Sequence, residues 1–344
     1  LAADQRLSAK EGERDPILTL QQEAEDVAEE RPKRSPRRGR GWCILLIFAG
    51  VAGLVAGLLA RLWVHFDVFN QFTAHFAILL IAGAIGLWIP RGKTLTALVL
   101  VVAGVIGLGL WPQMSSREID TLSEARAGER AVRLMLFNAH DNNDDIVAID
   151  AEIRRNDPDI VVMVEFNPNK RAVLDSLNDR FPYHVHCLGP YHCDLAIISK
   201  LPFSHTEAKH SWEGPPVLRA SFGPELGNLV VVGVHTIRFP YARAQFRQII
   251  ELTKYLEPFG QNVVVAGDFN ATPFSRTLRT LEDRSALFRV THLPSWPAQL
   301  QLPQLAIDHI FIGTQMRRLE ATRIGHNAGS DHFPVISTFA VPLN

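Results

Sequence analysis

The chain has 344 residues, 47% hydrophobic and 21% charged, with three cysteines and a formal net charge of -1. That length accommodates one large domain or two moderate ones, and the balance is ordinary for a globular protein, so the whole-chain charge decides nothing. The averages conceal three unlike regions.

Residues 1–30 carry nine acidic and three basic groups with no aromatic residue, a composition that cannot bury a core. The chain begins at Leu1, which points to a truncated start or an unusual initiation codon. Residues 31–40 (RPKRSPRRGR) then place six positive charges in ten positions. Together, residues 1–41 read as a cytoplasmic tail, acidic and then basic.

From Trp42 to Trp111 three apolar runs follow: Trp42–Ala60, Phe72–Ile89 and Thr94–Trp111. Each is about as long as the ~20 residues a helix needs to cross a hydrocarbon core. None shows the polar stripe of a core helix, and a signal peptide has a shorter apolar run in a single copy. Residues 42–112 are therefore expected to form three transmembrane helices. The basic cluster before Trp42 and the link Arg91-Gly92-Lys93 belong on the cytoplasmic side, so an odd number of spans puts the remainder outside, in the periplasm if the cell is Gram-negative. Trp63, Trp88 and Trp111 fall near the predicted membrane boundaries, where indole rings are favoured.

After a linker over 113–130, residues 131–344 alternate short strands and helices. Strands are predicted over Ala131–Asn138, Asp159–Val164, Leu195–Ser199, Leu229–His235, Asn262–Asp268, Ile307–Ile312 and Pro334–Phe339. A helix is predicted to start at Asn143-Asp144-Asp145, and another over Tyr241–Leu256. Four apolar strands close on a polar residue: Asn138, Glu165, His235 and Asp268. Such strand ends on one rim of a sheet are where α/β proteins gather chemistry. Carboxylates and a carboxamide are hard oxygen donors suited to Mg²⁺ or Mn²⁺, and a histidine beside a carboxylate suits proton transfer. With no glycine-rich phosphate loop and no GxSxG elbow, the inventory supports metal-assisted hydrolysis.

The segments LMLFNAH (134–140), DIVVMVE (159–165), LAIISKLP (195–202), GVH (233–235), GDFNATP (267–273), AIDHIF (306–311) and SDHFP (330–334) occur in that order. Together they resemble the endonuclease/exonuclease/phosphatase superfamily across nearly all of residues 131–344. The resemblance implies a four-layer α/β sandwich, two packed mixed β-sheets flanked by helices. It also implies a hydrolase that cleaves a phosphodiester or phosphomonoester with a metal-activated water. Asn138 and Glu165 match its metal-binding positions, and Asp331 resembles a further metal or water ligand. Asp268 matches the acid that activates the water, Asn270 a phosphate-oxygen contact, and His235 a histidine near the scissile phosphate. Asp308 and His332 resemble its Asp–His pair. His309, one residue along a strand, should face away. The sequence departs from the family pattern at Val164, Asp194 and His140.

The expected partners are a phosphate-ester substrate and a lipid bilayer. Residues 113–344 hold 23 Lys+Arg and 26 Asp+Glu, a net of -3, with no basic cluster. That balance disfavours a nuclease acting on DNA or RNA, which stays as the alternative. A non-catalytic adaptor of the same fold is disfavoured because every principal position is occupied. Cys187 and Cys193 flank a Gly-Pro turn in a domain expected outside the cytoplasm, where a disulfide between them would persist.

Overall fold

In a computed structural model the described residues are 37–88, 124–188, 193–299, 301–302 and 304–343. Strand β2 (Ile160–Val164) shows how the sequence builds the core. All five of its residues are buried, and they alternate between two clusters. Ile160, Val162 and Val164 point between the sheets, whereas Val161 and Met163 point to the helices outside. A period of two with both faces apolar marks a central strand covered on both sides.

The first sheet runs β11 (Arg317–Arg318), β13 (Val335–Pro342), β1 (Glu129–Asn138), β2, β4 (Leu195–Ser199), β3 (Tyr183–Cys187), with β12 (Arg323–Ile324) also paired to β13. The second runs β5 (Phe203–Lys209), β6 (Val217–Phe222), β7 (Val230–His235), β8 (Val263–Asp268), β10 (Asp308–Gly313), β9 (Leu287–Arg289). Each contains one parallel pair, β1 with β2 and β7 with β8, and the rest are antiparallel. Parallel neighbours need a crossover, and the intervening helices supply it: Ile146–Asn156 after β1 and Ala242–Leu256 after β7. The sheets face each other over the cluster that includes Leu136, Val162, Leu218, Val264 and Ile310. Helices cover the outer faces, giving the expected four layers. Because both parallel pairs point their C-terminal ends the same way, Asn138, the residue after β2, His235 and Asp268 reach one rim.

Predicted strand and helix positions hold to within a few residues, and Asp145 caps its helix by accepting from the Ala148 amide at 2.9 Å. Strands β3, β5, β6 and β9 and the helices Arg171–Leu177 and Arg276–Arg284 were not expected. Strand β5 is an edge strand with polar residues outward, so it lacks the apolar run that marked the others. Cys187 and Cys193 are joined by a disulfide, with Cα atoms 5.6 Å apart, within the usual range.

In the N-terminal region, helices α1 (Arg37–Leu59) and α2 (Thr73–Trp88) form an antiparallel hairpin. Glycine sets their separation. A Cβ on Gly83 would lie 2.7 Å from the Cys43 carbonyl, so only glycine permits the contact. Close backbone approach of this kind is how helices pack in lipid, where burial gives little drive. Among the described residues one helix, Arg40–Leu59, is by itself long and apolar enough to cross a membrane, not three. The second expected span is shorter than predicted and qualifies only together with Val64–Asn70, which is bent from it by 57°. The third, Thr94–Trp111, lies outside the described residues, as do the Trp88 side chain and Trp111.

The segment that joins α1 to α2 is not a simple connection. Asp67, fully buried, accepts from the backbone amides of Arg276 (2.7 Å) and Thr277 (3.3 Å) and from the Thr277 hydroxyl (3.2 Å). Gln71 accepts from the Thr272 amide at 2.6 Å, and the Arg276 guanidinium donates to the Ala60 carbonyl at 2.8 Å. The tip of the hairpin is thus docked on the first turn of the helix Arg276–Arg284.

Candidate active site

The strand ends bring the predicted residues together. Asn138, at the end of β1, is 1% exposed, and its Nδ2 donates to Glu165 Oε1 at 3.0 Å and to Asp268 Oδ2 at 3.1 Å. One carboxamide therefore ties the two sheets together at the rim. Its Oδ1 accepts from the His140 amide at 3.0 Å. Glu165 Oε2 accepts from the Asp141 amide at 2.6 Å. Both Glu165 (φ 56°) and His140 (φ 61°) adopt the left-handed region, uncommon for residues other than glycine, and such backbone clusters at functional sites.

Asp268 closes β8, directly opposite Asp308 on β10. The preceding Gly267 is forced by β7: a Cβ there would lie 1.9 Å from the Val234 carbonyl. Asp268 Oδ1 accepts from the Asn270 amide at 2.8 Å, and its Oδ2 lies 3.9 Å from both His235 Nε2 and His332 Nε2. Burial, with the adjacent Asp308 carboxylate, pushes its pKa up to about 6 against the opposing pull of His332 and His235.

Asp308 Oδ2 lies 2.7 Å from His332 Nδ1, so the predicted pair is formed. Burial disfavours the imidazolium, but Asp308, with Asp268 and Asp331, outweighs it and raises the His332 pKa to about 10. Ser295 Oγ donates to the same Asp308 oxygen at 2.5 Å and fixes the carboxylate. His309 faces away as expected, with Nε2 2.8 Å from the Ala271 carbonyl, and its burial keeps it neutral.

Asn270 is at the mouth, and its Nδ2 donates to the Thr236 carbonyl at 3.0 Å. Asp331 joins the others through His140, whose Nδ1 is 3.2 Å from Asp331 Oδ1 and 3.7 Å from Glu165 Oε2. Trp296 Nε1 donates to Asp331 Oδ2 at 3.2 Å. Glu165, His235, Asp268, Asn270, Trp296, Asp331 and His332 open on a cavity of about 660 Å³, which Ile237, Arg238, Phe239 and Pro240 also line.

Sequence reasoning missed Ser295, Trp296 and Phe239 as contributors, and treated His140 only as a departure. Ser295 and Trp296 sit in irregular chain between β9 and β10, where no periodicity points inward. His140 could have been found from its place two residues past Asn138, one strand-end turn into the rim.

The donor set fits a hard divalent cation. Ligand atoms of Glu165, His235 and Asp268 lie within 4.8 Å of one another. Burial and then the neighbouring Asp308 carboxylate raise the Asp268 pKa, and a cation beside these acids would oppose both effects.

Residues 128–332 match the Endonuclease/Exonuclease/phosphatase family. The fold resembles that of an endonuclease/exonuclease/phosphatase from Bacteroides vulgatus, with a TM-score of 0.53 and 16% identity over 62% of this chain and 99% of the other. D. rerio TDP2, in complex with a single-strand DNA product, aligns with a TM-score of 0.50 and 13% identity over 61% of this chain and 98% of that one. A UPF0294 protein of Vibrio cholerae is 34% identical over 125 residues, 35% of this chain and 42% of the relative. The alignment thus spans about two fifths of the length of the curated relatives.

Proposed function

Because the chain belongs to the endonuclease/exonuclease/phosphatase family and is a hydrolase of ester bonds, we propose that it is a membrane-anchored, divalent-metal-dependent phosphoesterase. The observation that carries this reading is the convergence of Glu165, His235, Asp268 and His332 on one cavity, with Asn138 behind them bridging both sheets. Glu165, Asn138 and Asp331 would hold Mg²⁺ or Mn²⁺. When bound, the cation supplies Lewis acidity and neutralises charge on the phosphate.

The chain's own groups divide the proton chemistry. Asp268, with a pKa near the working pH, takes the proton of the attacking water. His332, held cationic and oriented through Nδ1 by Asp308, presents Nε2 to the charge that develops on the phosphate oxygens. His235 flanks Asp268 from the other side, and Asn270, which lines the mouth, would contact a phosphate oxygen there.

The docked hairpin supports the membrane reading and a topology. If α1 and α2 cross the bilayer, their tip and the catalytic domain lie on the same side, because Asp67 and Gln71 bond to that domain. The chain leaving α2 must then cross once more before residue 124, and the apolar run Thr94–Trp111 is there to do so. With the basic cluster of residues 31–40 cytoplasmic, the catalytic domain is extracytoplasmic.

The test is hydrolysis by the purified full chain, with Mg²⁺ or Mn²⁺ and with chelator, of a panel of phospholipids, simple phosphodiesters, phosphomonoesters, DNA and RNA. Metal-dependent cleavage of a non-nucleic phosphoester is expected. Cleavage of DNA or RNA alone would move the assignment to the nuclease reading, and turnover unaffected by chelator would remove the metal.

A further inference from the structure

A second cavity, of about 610 Å³, lies between the tip of the hairpin and the helix Ala242–Leu256, away from the rim. Leu62 and Trp63 form one lip, while Arg243, Phe246, Arg247 and Arg276 form the other. From this geometry we infer that the groove binds the head group of an anionic phospholipid, an inference that rests on the membrane anchoring proposed above.

Three features point to that occupant. Leu62 is 85% exposed and Trp63 60%, immediately past the last residues of α1, where a span leaves the hydrocarbon and indole rings favour the interface. The opposite lip is basic. Arg243 and Arg247 stand four residues apart on one helix face, a like-charge spacing that destabilises a helix unless something offsets it. Both are exposed, and among the described residues neither guanidinium has an acidic partner or a hydrogen bond. Arg61, at the end of α1, is likewise exposed and without an acidic partner among the described residues.

The remaining groups are already committed. Arg276 is held by the Ala60 carbonyl and stacks 4.7 Å from the centre of the Phe246 ring. Asp67, the nearby acid, is buried and spends both oxygens on Asn70, Arg276 and Thr277. Glu251, one turn on from Arg247, pairs with Lys254 at 2.7 Å, so among the described residues neither Arg243 nor Arg247 has an ion-pair partner. Guanidinium forks match phosphate oxygens in paired hydrogen bonds, and apolar lips suit the glycerol and upper acyl carbons of the same molecule. A soluble anion would use the arginines but have no need of Leu62 and Trp63.

The full chain, incorporated into nanodiscs of phosphatidylcholine with a minor fraction of phosphatidylglycerol, tests the inference. After transfer to detergent, the lipids that co-purify are quantified by mass spectrometry. Phosphatidylglycerol enriched over its share in the disc is expected for the parent. For Arg243→Ala/Arg247→Ala the enrichment should fall about tenfold, as expected for lost charge-assisted bonds. Circular dichroism and unchanged incorporation into discs serve as the fold control. Arg243→Lys/Arg247→Lys, which retains the charge without the forks, should keep part of the enrichment. A parent that carries phosphatidylglycerol only at its bulk share, or an alanine variant as enriched as the parent, overturns the groove. So does loss of the lipid to added inorganic phosphate, which would mean that the arginines select the anion alone. A chain that enters no disc overturns the anchoring itself, and the inference with it.

Discussion

Asp268 and Asp67 are both buried carboxylates next to a strand or helix end, yet they differ in what surrounds them. Asp67, at the hairpin tip, accepts from two backbone amides, a hydroxyl and the Asn70 carboxamide. Asp268, at the rim, accepts from one amide and one carboxamide, and its remaining neighbours are the Asp308 carboxylate and two imidazoles at 3.9 Å. Hydrogen bonds to a carboxylate stabilise its charge, whereas burial beside another acid does the opposite. Burial is thus common to both acids. The capacity left over, open to a cavity, separates them.

The largest expected effect follows from that difference. Asp268→Asn should lower the turnover of a phosphodiester by about 10²–10⁴-fold, the usual contribution of a positioned base. Asp67→Asn, assayed beside it with Mg²⁺ or Mn²⁺, should stay close to the parent. Equal turnover in Asp268→Asn and parent would break the contrast.

The Asp308–His332 pair gives the next effect, read against pH. The folded His332 pKa is raised from the ordinary 6.5 to about 10, so the imidazolium persists through neutral pH. The stability that this pairing contributes is full below about 6.5 and is lost as pH rises through about 10. In Asp308→Ala, burial is left to act with less opposition, and the folded pKa drops. The alkaline limb of the rate profile should therefore move to lower pH in the variant. Superimposable profiles would mean that His332 is not used in its charged form.

Half of the rim was legible from strand pattern, because Asn138, Glu165, His235 and Asp268 close apolar strands, while Asn270, Asp308, Asp331 and His332 were reached through the family resemblance. Ile160–Val164 and Val263–Asp268 announce themselves by composition, and Glu165 and Asp268 follow at their ends. His309 could be set aside from strand alternation alone. The hairpin tip was not legible. Asp67, Asn70 and Gln71 look like a polar loop between apolar runs, and their partners Thr272, Arg276 and Thr277 lie some 200 residues on. Nothing local in either segment marks the other, since hydrogen bonds between distant segments leave no periodic trace. Ser295 and Trp296 were hidden for the same reason, in irregular chain whose direction only the tertiary structure sets.

A smaller effect is expected from the disulfide, which closes the edge of the first sheet near the rim. Linking Cys187 to Cys193 constrains a short loop, a contribution of roughly 2 kcal/mol in the chain-entropy model. Cys187→Ser/Cys193→Ser should lower the denaturant midpoint accordingly and leave the metal dependence of hydrolysis in place. A variant with the parental midpoint would show that the bridge constrains nothing the fold does not already hold. Mass mapping of the parent, alkylated without reductant, identifies the bridge directly.

The smallest effect belongs to Asp67, and it concerns docking more than chemistry. Ser275 already caps the helix Arg276–Arg284 by accepting from the Leu278 amide at 3.1 Å. Asp67 adds the amides of Arg276 and Thr277, which the helix cannot satisfy itself. Losing a carboxylate cap costs about 1 kcal/mol, and Asp67→Ala should cost a similar amount. Gln71, Arg276 and the Phe72–Phe239 ring contact at 5.6 Å would still hold the tip. The loss should therefore appear as local opening rather than as undocking. Hydrogen–deuterium exchange of the full chain reads this, with the amides of Arg276 and Thr277 exchanging faster in the variant while β8 is unchanged. Phe239 lines the active-site cavity, so a tip that swung free would also raise the KM of any substrate touching that wall. An unchanged KM with faster exchange at 276–277 is the expected result. Exchange matching the parent at those amides would mean that the cap is dispensable and that the apolar contacts alone seat the hairpin.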